Sequence, residues 1–328
     1  MKKILIFKTD RIGDLINISP VLNNLKKNFP DSEISLICSK YNSSLAKHYD
    51  FLAKIFIFKK PFIFFLLKNY KFFILKKYDL ILQLDGKNHS YLLSILIRSN
   101  KRACIKFIKK KKIFGLEFIN SRPNYLVSSF FDFKENCIED YNINENKSFH
   151  YLSLYFKLLD SLDVKIFSKD HFLPFKSDKI SFDNLPTSYY LFHIDERWNN
   201  FSKDVYFSLE KKIEEIAVSN KVLITSNING NIFYEKLFKK FDLNSNIKLV
   251  KDSTIDELVY LIYKSHTVVS SHTGMIVHIA ASFNKKIVDL VSEDIFDELD
   301  RWIPLNIKYF RANIDNLHDL EKLVFNLT

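Results

Sequence analysis

The hydrophobic and polar positions of this chain alternate in a way that predicts buried strands separated by amphipathic helices. The run "KILIF" near the start is continuously apolar, as expected of a strand buried on both faces of its sheet. In "SPVLNNLKKNFP" the apolar residues recur at helical spacing, with Pro20 in the first turn, and "SEISLIC" again has the pattern of a strand. A strand, a helix and a second strand in this order form a βαβ unit, which requires a parallel sheet.

The same alternation continues through the first half of the chain. "YDLILQLDG" predicts a strand that ends at Gly86, "SYLLSILIRS" predicts a helix, and a longer helix is predicted over residues 149–164. The next segment, "KIFSKDHFLPFKSDKISFDNLPTS", has no clear period and contains two prolines. Such a segment is typical of a connection between two domains.

A second series of elements follows this aperiodic segment. The runs "YYLFHI", "KVLITS", "HTVVSS" and "KKIVDLV" predict strands, and "SKDVYFSLEKKIEEIA", "TIDELVYLIYKS" and "MIVHIAASF" predict the helices between them. The sequence therefore predicts an α/β protein with two Rossmann-like domains, in keeping with its length of 328 residues. We place an N-terminal domain at residues 1–170, a linker at 171–187 and a C-terminal domain at 188–328, with a last helix that can pack back on the N-terminal domain.

Glycine is rare in this chain, which contains only five, so the position of each one is informative. Gly13 lies in "KTDRIGDLINISP", just past the first predicted strand and directly before Asp14. Glycine tolerates a positive φ and allows close approach of the backbone to a ligand. We therefore predict that Gly13 lies in a loop that contacts a ligand, with an ordinary turn as the alternative.

A second glycine-bearing turn occurs in "VVSSHTGMIVHIAASF", where Gly274 separates a predicted strand from a helix that starts at about Met275. The free backbone N–H groups of residues 273–276 would form a site for a diphosphate at the positive end of that helix. Thr273 can cap the helix and bind a phosphate oxygen, and His278 lies one turn further along. Taken alone, this pattern also fits a purely structural turn.

Ligands of open parallel sheets bind beyond the carboxyl ends of the strands. Each predicted domain has a glycine-bearing turn at such an end, at Gly13 in the first and Gly274 in the second. Two domains that present these edges to one another would enclose a ligand in the cleft between them.

Four stretches of the chain resemble the heptosyltransferases of glycosyltransferase family 9, which have the GT-B architecture, and the resemblance covers nearly the whole chain. The four are "ILIFKTDRIGDLINISPVLNNLKKNFPDSEISLI", "YDLILQLDGKNHSYLLSILI", "IDELVYLIYKSHTVVSSHTGMIVHIAASFNKKIVDL" and "RWIPL". The first is similar to the opening strand, G-D loop and F-P-D of the family, and the third to its nucleotide-binding signature. Their order along the chain is the order in the family.

The resemblance implies a GT-B fold, with two Rossmann-like domains facing each other across a cleft, and an inverting sugar transfer. It places Asp14 at the position of the general base, and such a transfer needs a carboxylate to take the proton of the acceptor hydroxyl. The alternative is that Asp14 only caps the following helix. The implied donor is a nucleotide sugar, with ADP-heptose favoured, and the implied acceptor is a lipopolysaccharide core.

Two positions depart from the family pattern. His272 stands where the family has the aspartate of D-T-G, which puts the contacts of that aspartate in doubt. The family also has a lysine in a K-x-W-P stretch, whereas "HIDERWNNFSKD" offers Arg197 beside Trp198. A guanidinium can hold a phosphate through two hydrogen bonds, so Arg197 is our candidate for the departing diphosphate. The alternative for Arg197 is a salt bridge to Asp195 or Glu196.

The net charge of +11 favours an anionic partner. Lysines are concentrated at residues 54–79 and 101–114, where they alternate with Phe and Ile in a pattern that suits the headgroup region of a membrane. The alternative is that these lysines are solvated on amphipathic helices. We predict a lipid-anchored, phosphorylated glycan acceptor at a membrane surface and no nucleic-acid partner, since the sequence contains no recognisable nucleic-acid-binding motif.

The remaining features limit the chemistry. The three cysteines have no paired spacing and the opening apolar run is too short for a signal peptide, so we predict a cytoplasmic protein, peripheral on the membrane at most. We predict no metal and no cofactor beyond the donor. The acidic run "EDIFDELD" is expected to be a solvated loop and helix, and four histidines without metal-ligand spacing are expected to be structural: His89, His150, His171 and His193.

The sequence therefore predicts a glycosyltransferase that transfers heptose or a similar sugar to a lipopolysaccharide or lipooligosaccharide core. The departures at His272 and at the missing W-P leave open a second hypothesis, a sugar-nucleotide-binding protein of the same fold that has lost catalysis.

Overall fold

The computed structural model describes residues 1–113, 116–139, 150–177, 180, 182, 184–226, 232–241, 244–271, 274–305 and 307–315. The chain divides into two compact units, Met1–Lys169 and Asp170–Thr328. The predicted linker 171–187 lies at the start of the second unit. The predicted last helix falls on residues 316–328, which lie outside the described residues.

The first unit is built on a seven-stranded sheet in which β6 runs antiparallel to β5 and the other neighbouring pairs are parallel. Its order is β3-β2-β1-β4-β5-β6, with β7 also pairing with β5. The strands are β1 Lys3–Lys8, β2 Glu33–Cys38, β3 Leu52–Ile57, β4 Tyr78–Gln83, β5 Ser99–Ile113, β6 Leu116–Arg122 and β7 Phe133–Glu139.

Short helices connect these strands. They are α1 Ile12–Asn17, α2 Ser19–Asn28, α3 Lys40–Ala46, α4 Phe62–Lys68, α5 Asn88–Leu96, α6 Tyr125–Ser128 and α7 Tyr151–Asp160, with a π-helical turn at Lys71–Leu75. The central strands β1 and β4 are buried on both faces because helices cover the sheet, which explains their continuous apolar runs.

The second unit contains a six-stranded sheet whose neighbouring strands are all parallel, in the order β10-β9-β8-β11-β12-β13. Its strands are β8 Tyr190–Ile194, β9 Val222–Ser226, β10 Ile247–Lys251, β11 Thr267–Ser271, β12 Lys286–Val291 and β13 Tyr309–Asn313. Its helices are α8 Lys203–Ser219, α9 Ile232–Phe241, α10 Ile255–Lys264 and α11 Met275–Ser282, with 3-10 turns at Glu196–Asn200, Glu293–Ile295 and Glu298–Arg301. The predicted class of two α/β units with parallel sheets is confirmed.

Two local interpretations differ from the structure. Gly13 does not lie in a loop but is the second residue of α1, because this helix begins at Ile12. Residues 101–113 of the second lysine-rich stretch do not form an amphipathic helix but belong to β5, where β4, β6 and β7 pair with them. These pairings depend on partners distant in sequence, so a local pattern could not reveal them.

No helix within the described residues is both long and apolar enough to cross a membrane.

Candidate functional site

Both sheets place their central strands in the arrangement that creates ligand sites in doubly wound folds. In each sheet the first three strands are added in one direction, and the next strand pairs with the opposite edge of the first one. The strand order therefore reverses between β1 and β4 and between β8 and β11. Ligands of such sheets bind beyond the carboxyl ends of the strands at this reversal. The residues that directly follow these four strands are therefore the candidates.

In the second unit the residue that follows β8 is Asp195, and its buried carboxylate organises the turn. It accepts hydrogen bonds from the backbone N–H of Arg197 at 3.0 Å and from the Nε of Arg197 at 2.8 Å, and Nη2 of Arg197 donates to the same carboxylate. Ser271, the last residue of β11, donates its hydroxyl to Asp195 at 3.3 Å. The carboxylate thus links the ends of the two strands at the reversal point.

The guanidinium of Arg197 lies against the backbone of Gly274, which directly precedes α11. A Cβ at position 274 would come within 2.6 Å of Nη2 and 3.1 Å of Nη1 of Arg197. The φ of Gly274 is −102°, so glycine is not needed here for a positive φ, contrary to one of the two reasons considered from the sequence. The close approach of the guanidinium is the reason that the structure gives for a glycine.

Positive charge therefore converges at the start of α11. The helix contributes the backbone N–H groups of its first turn and the positive end of its dipole, and the side chain of Arg197, about one-third exposed, contributes a guanidinium. Asp195 compensates part of this charge from the buried side. The arrangement is chemically suited to an anion that approaches from the exposed side.

The other predicted residues of this turn are placed as follows. His272 and Thr273 lie outside the described residues. Met275 is the first residue of α11 and is half-buried. His278 is buried on the same helix, and its ring stacks on that of His171 with centroids 5.2 Å apart.

His193, which lies in β8, is buried and bonds to the hydroxyl of Thr225 at 3.0 Å. Burial lowers its pKa to about 4, with a smaller raising effect from Asp195 and a lowering effect from Arg197. The imidazole is therefore neutral at physiological pH. His193 contributes a hydrogen bond between strands rather than a charge at the site.

In the first unit Gly13 and Asp14 occupy the first turn of α1, beyond the end of β1. The carboxylate of Asp14 accepts a hydrogen bond of 3.1 Å from the backbone N–H of Arg11, the residue that precedes the helix. Asp14 is only half-buried, so its side chain both caps α1 and remains accessible.

An ion pair that we did not predict, between a buried lysine and a half-buried aspartate, lies at the end of β1, in the segment that leads to Asp14. Lys8, the last residue of β1, is buried and its Nζ lies 2.9 Å from Asp10. The same ammonium donates to the hydroxyl of Tyr155 at 3.1 Å and to the carbonyl of Leu84 at 3.2 Å. The pair thus connects the ends of β1 and β4 with helix α7.

The charges of this cluster affect one another. Burial raises the pKa of Asp10 to about 7; the ammonium of Lys8 opposes this shift, and the carboxylates of Asp14 and Asp85 add to it. Burial also lowers the pKa of Lys8, but the charges of Asp10, Tyr155 and Asp14 outweigh it and raise that pKa well above its usual value. Asp10 can therefore exchange a proton near neutral pH within reach of the charge of Asp14.

Asp85, just past β4, holds the loop after β1 in place. Its fully buried carboxylate accepts bonds of 2.8 Å from both the backbone N–H and the hydroxyl of Thr9, and one of 3.0 Å from the hydroxyl of Ser90. Its other oxygen accepts from Gln83 Nε2 at 2.9 Å and from the N–H of Lys87 at 3.0 Å. Asp85 is thus a positioning residue for the segment that carries Asp10 and Asp14.

Three side chains of these clusters were missed from the sequence: Lys8, Asp10 and Asp85. The sequence signal that could have revealed them is a charged residue at or just after the end of a continuous apolar strand. Parallel sheets bind ligands beyond the carboxyl ends of their strands. The partner Tyr155 gave no such signal because it lies on a helix whose apolar pattern only predicted burial.

Within the ranges that the structure describes, no group of three or more His, Cys, Asp or Glu residues is arranged to hold a metal ion.

Comparison with known proteins identifies the type of fold. No protein-family model matches the sequence, and no curated protein matches it at a significant level. The structure is similar to the Escherichia coli heptosyltransferase WaaC with ADP, with a TM-score of 0.70 and 13% identity over 99% of this chain and 98% of that one. It is also similar to a glycosyltransferase family 9 protein from Veillonella parvula, with a TM-score of 0.66 and 13% identity over 95% of this chain and 87% of that one.

The same fold occurs in a putative UDP-N-acetylglucosamine 2-epimerase from Listeria monocytogenes, with a TM-score of 0.55 and 11% identity over 100% of this chain and 88% of that one. At these identities the likeness concerns the fold. The chain thus has the GT-B type of fold that these transferases and the epimerase share, and the predicted fold class is confirmed.

Proposed function

We propose that this chain is a metal-independent, inverting glycosyltransferase of family 9. It would transfer heptose or a similar sugar from a nucleotide-sugar donor, with ADP-heptose the favoured one, to a lipopolysaccharide or lipooligosaccharide core. The acceptor would be phosphorylated and lipid-anchored, and the enzyme would work in the cytoplasm at the inner membrane surface.

The observation that carries this proposal is the match of fold over nearly the whole chain to a heptosyltransferase solved with ADP. The contact between Arg197 and Gly274 supports it independently, because it gathers positive charge where a doubly wound sheet binds a nucleotide. Sugar nucleotides carry a diphosphate, and this is the anion that such a site suits.

On this proposal the second unit stabilises the leaving group. As the bond between the anomeric carbon and the diphosphate oxygen breaks, negative charge grows on the departing nucleoside diphosphate. Arg197 and the N–H groups at the start of α11 would bind that charge, together with His272 and Thr273, the residues just before Gly274. His278 is the more distant member of the predicted set, one turn into the helix.

The first unit would supply the base. The acceptor hydroxyl attacks the anomeric carbon from the side opposite the leaving group, and its proton passes to the carboxylate of Asp14. Gly13, which has no side chain, would let the backbone beside Asp14 approach a sugar closely. The hydrogen bond from the backbone N–H of Arg11 to one oxygen would hold the half-buried carboxylate in a fixed direction.

Two observations favour the second candidate, a nucleotide-sugar-binding protein without turnover. The carboxylate of Asp14 serves as a helix cap, and that of Asp195 holds Arg197 in an ion pair. Both aspartates thus have a structural role, which would explain their presence in a protein that does not catalyse sugar transfer.

The test is to incubate the protein with ADP-heptose and a heptose-deficient lipopolysaccharide core, and to measure the release of ADP and the mass of the glycan. Calorimetry with ADP is run in parallel. Turnover together with ADP binding would support the transferase. ADP binding without turnover across several donors and acceptors would support the binding protein, and the absence of both would overturn the donor assignment.

A further inference from the structure

Helix α4 and the π-helical turn after it expose an unusual number of large apolar side chains. Six are exposed, and we call them the α4 surface: Ile63, Phe64, Leu67, Tyr70, Ile74 and Leu75. Phe64 alone is 67% exposed. Two segments of the same connection therefore present apolar groups to solvent.

The opposite side of this segment is firmly anchored. Phe65, Leu66 and Phe73 are buried and belong to a core cluster with residues of β1 and β4. Apart from Lys68 at its end, every residue of α4 is apolar, although only one side of the helix packs into the core. A helix of this kind in a water-soluble protein normally has a second apolar environment.

The segment that carries the α4 surface has charges of one sign only, although Glu33 of β2 approaches its Lys76 to 3.9 Å. Residues 51–78 contain no Asp or Glu, and five lysines near the α4 surface are exposed: Lys59, Lys60, Lys68, Lys71 and Lys77. Apolar side chains surrounded by lysines match a bilayer surface with anionic headgroups, where the apolar groups enter the acyl boundary and the lysines remain at the phosphates.

Neighbouring helices extend the apolar character. Helix α5 contacts both α4 and α6. Leu92 and Leu96 on α5 are exposed, as are Tyr125 and Leu126 on α6. By contrast, the second lysine-rich stretch lies in β5, where Ala103, Cys104 and Ile105 are buried in the sheet. The two lysine-rich stretches, which have similar sequence patterns, therefore differ in structure: the first exposes apolar side chains on a helix, and the second is part of a sheet strand.

We propose that the α4 surface docks on an anionic lipid bilayer and holds the first unit at the membrane. Phe64 and Leu67 would insert at the boundary between headgroups and acyl chains, and Lys68 and Lys71 would contact lipid phosphates. This docking is independent of the donor and the sugar, so it can be tested apart from the proposed transferase activity.

The experiment is vesicle flotation of the full-length protein. One set of vesicles is phosphatidylcholine alone, and the other is an equimolar mixture of phosphatidylcholine and phosphatidylglycerol. We expect binding to the mixed vesicles and weak binding to the neutral ones, with a decrease at high salt. Failure to bind the mixed vesicles would overturn the proposal.

Two variants test the two components. Phe64→Ser with Leu67→Ser should reduce the partition coefficient on mixed vesicles by about tenfold or more, since both side chains lose apolar burial. Lys68→Glu with Lys71→Glu should reduce it by about tenfold or more through charge alone. All four residues are exposed, so melting curves by circular dichroism should match those of the wild type.

The matched controls lie in the second unit, where α8 exposes Phe207 to 66%, almost the same as Phe64, and also exposes Lys211. Phe207→Ser and Lys211→Glu should leave vesicle binding unchanged. Equal binding by the α4 variants and the wild type would refute the α4 surface as the docking site. If those variants instead abolished self-association measured by light scattering, with vesicle binding intact, the surface would be a protein interface and the proposal wrong.

Discussion

The guanidinium of Arg197 lies directly against the backbone of Gly274, so that a Cβ at position 274 would approach one of its Nη atoms to 2.6 Å. Arg197 follows β8 and Gly274 precedes α11, so the contact joins two elements on either side of the strand reversal. Any side chain at 274 must displace the guanidinium. The two residues therefore act together on whatever binds there.

We expect Gly274→Ala to weaken ADP binding by more than tenfold, or at least about 1.4 kcal/mol, and Gly274→Val to weaken it further. The φ of −102° is accessible to alanine, so the effect should come from the displaced Arg197 and not from backbone strain. Calorimetry with ADP measures the affinity, and circular dichroism checks the fold.

A double-mutant cycle with Arg197→Ala tests this cause. If Gly274→Ala acts by moving the guanidinium, it should have little further effect once Arg197 is truncated. Gly86→Ala is the matched control in the first unit, where the new Cβ would meet the ring of Phe107 at 3.2 Å and ADP affinity should not change. Additive losses in the cycle would contradict the coupling.

Asp14→Asn should abolish sugar transfer while ADP affinity stays close to that of the wild type. Asparagine still offers an oxygen to the N–H of Arg11, so the cap of α1 is retained and only the base is lost. Asp31→Asn, at an exposed position, is the control. Full turnover by Asp14→Asn would mean that Asp14 serves only as a cap.

Asp195→Ala should lower the free energy of unfolding of the second unit by about 2 kcal/mol, because the N–H and guanidinium of Arg197 and the hydroxyl of Ser271 lose their shared acceptor. Ser271→Ala removes only the 3.3 Å bond and should cost less than about 1 kcal/mol. Urea unfolding followed by tryptophan fluorescence measures both, because Trp198 is buried beside this turn. Similar losses in the two variants would argue against Asp195 as the organising group.

The raised pKa of Asp10 predicts a pH dependence of stability. Because the folded state holds this proton more tightly than the unfolded state, the favourable contribution is complete below pH about 4 and is lost as the pH rises through about 7. The melting temperature of the wild type, relative to that of Asp10→Asn, should therefore fall between pH 5 and pH 8. An unchanged difference across this range would show that Asp10 does not titrate there.

The sequence by itself determined the alternation of strands and helices and the two α/β units. Strands in parallel sheets are buried on both faces, so "KILIF" appears as a continuous apolar run that needs no knowledge of its neighbours. The glycine before α11 and the arginine after β8 were also visible as separate candidates.

Only the tertiary structure decided which of these residues meet. Arg197 contacts Gly274, and Lys8 bonds to Leu84 and Tyr155, because the order of strands in each sheet brings distant segments to one edge. Strand order depends on pairings far apart in sequence, such as those of β5 with β6 and β7, which no local period encodes. Burial is likewise a property of the packed chain, because the same side chain can lie in the core or in solvent. The structure alone therefore decided that burial raises the pKa of Asp10 and that one side of α4 is exposed.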